Sequence, residues 1–216
     1  MQDAPSNSLR LILWPTAITA VISIARLVAE VNGWITSNSG GALSPLGITW
    51  CMFVFGAWFG WRLSRAGSAP RVRRAWLWSL LAFLVIAGTI AFRFRDIDRA
   101  DQSEAATRYL RETALLVGGI AGTLALVQFV VWPRLAWTLL LYAIPARATV
   151  MLFTWLAKHM EWNTHYTKFG PSGIEKDMAA TLESASLAQF GFWVPLTIVA
   201  GTLAGTLFAR RSRPPV

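Results

Sequence analysis

The sequence predicts an all-α, polytopic integral membrane protein, a helix bundle of about six transmembrane helices, and three observations lead there. Hydrophobic residues make up 55% of the 216 and charged residues only 14%, where a soluble domain carries about 25% charge. A chain this small has too much surface to cover with so few charges. Apolar runs of spanning length recur along the whole chain, and the apolar/polar alternation of spanning strands is absent. Together these exclude a soluble enzyme, a disordered tail and a disulfide-stapled module.

A hydrocarbon core of ~30 Å takes ~20 helical residues at ~1.5 Å each. Residues 9–31, 45–63, 75–92, 113–132, 135–157 and 188–209 meet that need, all within one membrane domain, 1–216. In the first run, Leu11–Ile22 resembles the core of a signal peptide, with Ser23-Ile24-Ala25 as its cleavage site. A similar segment recurs in mid-chain, so we read it as a retained helix. Pro15, Pro45 and Pro133 fall near expected helix starts, where a missing N–H costs little. Asp101-x-x-Glu104 places the start of the fourth helix outside the bilayer. Pro145 and Pro195 lie inside the fifth and sixth runs and should bend them or free carbonyls. Trp14, Trp34, Trp61, Trp76, Trp132, Trp155 and Trp162 fall near the expected ends, as an interfacial belt does.

Residues 158–186 form a polar outer loop, far longer than the ~12–15 residues of ordinary loops. Within it Ser172 and Glu175 read as a capping box opening an amphipathic surface helix over about 173–186. An even number of spans puts both termini on one side. That side carries ten Arg, densely placed in short loops, against eight Lys and Arg on the other, which also holds nearly all the acids. The basic excess makes it the cytoplasmic side, and the membrane is expected to be a bacterial inner membrane. The net charge of +9 is thus a topology signal; nucleic acid is not an expected partner, because no basic face is clustered for it. The single cysteine, Cys51, reads as a small core hydrophobe.

The chain also shows signs of a parallel internal duplication. Trp14-Pro15 and Ala25-Arg26, with Trp34 eight residues beyond the Arg, are echoed by Trp132-Pro133 and Ala146-Arg147 with Trp155. The following helices carry Gly56/Gly60 and Gly201/Gly205. Chance similarity in a chain rich in Leu, Gly and Ala is the rival explanation. With Gly118/Gly122 there are three GxxxG pairs, which let two backbones approach closely. They serve either internal packing or a seam to a second copy or a partner subunit.

Arg26 and Arg147 are the most informative residues. With Trp34 and Trp155 at the interface, each Arg starts ~12 Å deeper, and intramembrane arginines usually face a bundle interior or a wet cavity. Glu30, at i+4, can pair with Arg26; Arg147 has Met151 there and needs another partner. The alternative is a site for an anionic group, which suits the guanidinium fork. The ligand-binding candidates are therefore Arg147, Arg26 and Glu30. His159, Glu161 and His165 are secondary candidates for a metal or an outer-face catalytic site, although no zinc-protease pattern appears. The expected function is transport or permeation of a small anionic or polar solute. A non-catalytic membrane subunit and a membrane enzyme are the alternatives. The sequence names no cofactor.

Overall fold

A computed structural model describes residues 6–37, 44–95, 97, 103–168 and 176–209, and regular structure there is helical throughout. The helices are α1 (Ser6–Val31), α2 (Cys51–Arg65), α3 (Ala75–Phe94), α4 (Glu104–Val131), α5 (Pro133–His159), α6 (Met178–Ser186) and α7 (Val194–Phe208). A 3₁₀ turn covers His165–Thr167 and a π segment, Leu187–Trp193, joins α6 to α7. Five rods are long and apolar enough to cross a membrane: Arg10–Val31, Ala75–Phe94, Glu104–Val131, Pro133–His159 and Met178–Phe208. That is one fewer than the six expected. The missing one is the second, expected over 45–63. Its helix starts only at Cys51, because Pro45 and Gly47 hold residues 44–50 in turns. Fifteen residues reach ~22 Å, short of a ~30 Å core.

The surface is that of a molecule whose solvent is oil. Trp14 is 74% exposed and Leu126 68%, while Arg26, Glu30, Gln128, Arg147 and Gln189 are buried. Hydrogen bonds between helices join these buried polar groups, which is how helices adhere where lipid removes the hydrophobic drive. The Ser79 hydroxyl donates to Gln128 Oε1 (2.8 Å), joining α3 to α4, and the Thr19 and Tyr142 hydroxyls meet at 2.8 Å, joining α1 to α5.

Two of the GxxxG pairs close on each other. A Cβ on Gly56 would stand 2.5 Å from Gly201 Cα, and one on Gly60 would strike the Gly205 backbone. Because 56 meets 201 and 60 meets 205, α2 and α7 run parallel. Internal packing is therefore the role of these four glycines. Gly118 likewise faces the Gly191 carbonyl, whereas Gly122 has open space.

Three helices end on the same cap. Trp34 N–H donates to Ala29 O (2.8 Å) with Gly33 at φ 69°, and Ser68 N–H donates to Leu63 O (2.9 Å) with Gly67 at φ 78°. At the end of α5, Trp162 N–H donates to Ala157 O (2.8 Å), but the left-handed position holds Glu161, φ 56°. This is the Schellman arrangement, which favours glycine there. Glu161→Gly is accordingly expected to stabilise the protein by about 1 kcal/mol, read as a higher thermal midpoint in detergent, with Glu161→Ala giving no gain.

Other expectations need correction. Pro15 lies well inside α1, which starts at Ser6. Trp132 is no interfacial residue: it is fully buried at the α4–α5 corner and donates from Nε1 to Ser68 Oγ (2.9 Å). The capping box Ser172/Glu175 lies outside the described residues. The helix expected there begins at Met178, capped by Asp177 Oδ1 on Ala180 N–H (2.7 Å), and it is no separate surface helix. It continues through the π segment into α7 as one rod. Pro195 explains the wider turn: its ring would collide with the carbonyl of Gly191 in an α turn. The extra residue of a π turn rotates the helix before it relative to the helix after it by ~100°. Gln189 and Trp193 reach Arg147 of α5, and beyond the π segment Gly201 and Gly205 turn their Cβ directions to Leu139 and Leu135 of α5 and their Cα atoms to α2.

Candidate functional site

Parallel packing of α1 on α5 brings Arg26 and Arg147 to one cavity. Its volume is about 160 Å³, and Arg26 and Ser23 of α1, Arg147 and Val150 of α5, and Gln189 and Trp193 of the π segment line it. Leu46–Thr49, just before α2, and His165, Tyr166 and Lys168 line its loop side. The turns that shorten α2 are thus part of the cavity wall.

The arginines lie at nearly the same level, because the Thr19–Tyr142 contact sets Arg26 of α1 beside Thr149 of α5, close to Arg147. Trp155 does not end α5, which runs on to His159, and the Trp that takes the place of Trp34 in the cap is Trp162. The helices themselves end at different heights: α1 stops at Val31, while α5 runs on past that level to His159.

The partners of the two arginines differ. Arg26 Nε donates to Glu30 Oε1 at 2.8 Å, with both side chains almost wholly buried. This is the pairing the i+4 spacing predicts. Glu30 also accepts from the His165 backbone N–H (2.9 Å), and His165 Nδ1 lies 2.7 Å and 2.8 Å from its two oxygens. Arg147 is only 6% exposed. It donates from one terminal nitrogen to Gln189 Oε1 over a long 3.4 Å, and its guanidinium lies 5.0 Å from the centre of the Trp193 ring. Among the described residues no carboxylate forms an ion pair with it.

His165 is the residue whose role the sequence did not disclose. Its ring is largely shielded, and burial pushes its pKa below the usual 6.5, with the Glu30 hydrogen bond partly opposing. The imidazole is therefore neutral at pH 7, and Nδ1 carries the proton given to Glu30. The metal-site candidates do not assemble. The helix that would align Glu161 with His165 stops at His159, whose ring stacks on Trp155 at 5.4 Å, and the chain reverses at Glu161. Among the described residues no three His, Cys, Asp or Glu gather as a metal site would need.

Among the described residues the cavity thus gathers Arg26, Arg147 and Lys168, with the carboxylate of Glu30 behind Arg26 and His165. No protein-family model matches this chain, and neither a curated protein nor a solved structure matches it.

Proposed function

We propose that this is an integral protein of a bacterial inner membrane, with both termini cytoplasmic, whose cavity binds a small solute through an anionic group and passes it through the bundle. One observation carries the reading: Arg147, buried and cationic, opens on a cavity and has an amide oxygen and an indole ring as its neighbours. An ionised group left in an apolar interior costs several kcal/mol, and an opposite charge in good geometry offsets that. The guanidinium fork selects carboxylate, phosphate or similar planar and tetrahedral anions. Val150 and Ile48 add an apolar wall, which suits a solute carrying some carbon beside its charge.

The test is thermal unfolding of the purified protein in a neutral detergent with nitrate, sulfate, phosphate, acetate and longer mono- and dicarboxylates. A bound anion should raise stability by about 2.7 kcal/mol at a hundredfold excess over Kd. A parallel arm adds anionic phospholipid in place of the soluble anions, and separates a lipid headgroup from a free solute. Flux of the best anion into reconstituted vesicles then distinguishes transport from binding alone. No response to any anion would overturn the reading. Co-purifying membrane proteins with no anion response would support the subunit alternative instead.

A further inference from the structure

We infer that the cavity also holds a proton site: its anion is taken up together with one proton, carried on Nε2 of the His165 imidazole. The inference rests on the anion reading above and gives that anion a second cargo.

The geometry is a carboxylate–imidazole pair fixed at the cavity wall. Glu30 takes Nδ1–H and, through the backbone N–H of the same residue, locks the position of the ring. A ring nitrogen held as a donor leaves the other as the basic one, and Nε2 makes no hydrogen bond among the described residues. Glu30 is in turn held by Arg26, so His165 touches the pair formed with one arginine while sharing the cavity with the other.

The charges around the ring set the sign of the coupling. From α1 it meets Glu30 and Arg26; from α5, across the cavity, Arg147; from its own segment, Tyr166 (ring centres 3.9 Å apart) and Lys168. Leu46–Thr49 and the π segment bring no titratable group to the cavity. When the cavity lacks an anion, burial, Arg26 and Lys168 oppose a positive imidazole, and among the described residues Glu30 favours it. An anion seated at Arg147 adds a second negative charge within the same low-dielectric space and reverses the balance. The proton comes from bulk water, and no bond beyond N–H forms. By linkage, whatever favours the proton when the anion binds must favour the anion when the proton binds. For a monovalent anion the load is then electrically neutral, which lowers the barrier to moving it through an apolar bundle.

Nitrate, sulfate and acetate serve as probes, since none changes protonation between about pH 6 and 8. In weakly buffered solution with an indicator dye, wild-type protein should take up close to one proton per anion bound near neutral pH. Its apparent affinity should rise up to tenfold per unit as pH falls from about 8 to 6. In His165→Gln, whose amide can still donate to Glu30, the apparent anion affinity should change less than twofold per pH unit. Anion binding by wild type without proton uptake would overturn the proton site and leave the anion reading standing. So would an undiminished pH slope in His165→Gln. Absence of anion binding at every pH would overturn both.

Discussion

Gly60→Ala is expected to destabilise the protein by about 3 kcal/mol, and Gly56→Ala to do nearly as much damage one turn earlier. At each position the added methyl would meet the backbone of α7, at Gly205 and Gly201, and backbone has no rotamer with which to yield. The two parallel helices would have to separate along their whole contact. The damage would not stay local, because α7 also packs on α3, α4 and α5, and nearly all of Val194–Gly205 is buried. Overpacking a yielding core costs about 1–3 kcal/mol; with no side chain to move, we expect the upper end for one alanine and loss of the fold for two. Gly122→Ala is the control. Nothing lies within 4 Å of its Cβ position, and alanine favours a helix over glycine by about 1 kcal/mol. Thermal midpoint and the monodisperse fraction on size exclusion in detergent read both outcomes. A Gly60→Ala protein as stable as wild type would mean that α2 and α7 do not cross at these glycines. Gly122 is also the only glycine of the three pairs left for a seam to another chain. A drop in apparent mass for Gly122→Ala alone would place a partner on that face of α4.

The helices and their order were legible because lipid imposes a length and a composition, and Pro133, Arg74 and Arg95 punctuate them. The second span falls short of expectation for a physical reason. Hydropathy over 45–63 is that of a helix, but Pro45 and Gly47 are turn residues, and an apolar wall can be built from turns when it faces a cavity. Asp177 and Pro195 were both in view, yet whether α6 stays separate from α7 depends on Gly118 leaving room for the Gly191 carbonyl. That is a contact across the fold. Arg26–Glu30 follows from helical spacing alone. Glu30–His165 joins residues 135 apart, and no local pattern announces such a pair. It forms because the Schellman turn at Glu161 throws the chain back over the end of α1. Likewise Trp155 and Trp162 are equally good belt residues by sequence, and only the cap hydrogen bonds show which one ends α5.

Arg147→Met is expected to abolish every anion-dependent rise in stability and every flux, while leaving the ligand-free protein as stable as wild type or more so. The two halves of that result carry different information. Methionine replaces the guanidinium with an unbranched apolar chain, so the α5–π contact keeps its filling and the desolvated charge disappears. Replacing a buried charge by apolar groups of similar volume is often neutral or stabilising by about 1–4 kcal/mol. Were Arg147 a structural tie, its removal would instead strand the Gln189 oxygen and destabilise the protein. At 3.4 Å that hydrogen bond is too long to carry much. Arg147→Lys retains the charge but loses the fork and the flat contact with Trp193, so it should bind the same anions with affinity reduced about tenfold or more, with selectivity among them flattened. Removing Glu30, by contrast, takes away the buried carboxylate that both Arg26 and His165 meet, and the fold itself should suffer. A variant series in which Arg147 controls the ligand response and Glu30 controls stability would show that the two arginines divide the work: one holds the loop end together and the other waits for a charge. If Arg147→Met destabilised the ligand-free protein as strongly as Glu30→Ala, both would be structural, and the cavity would lose its claim to a solute.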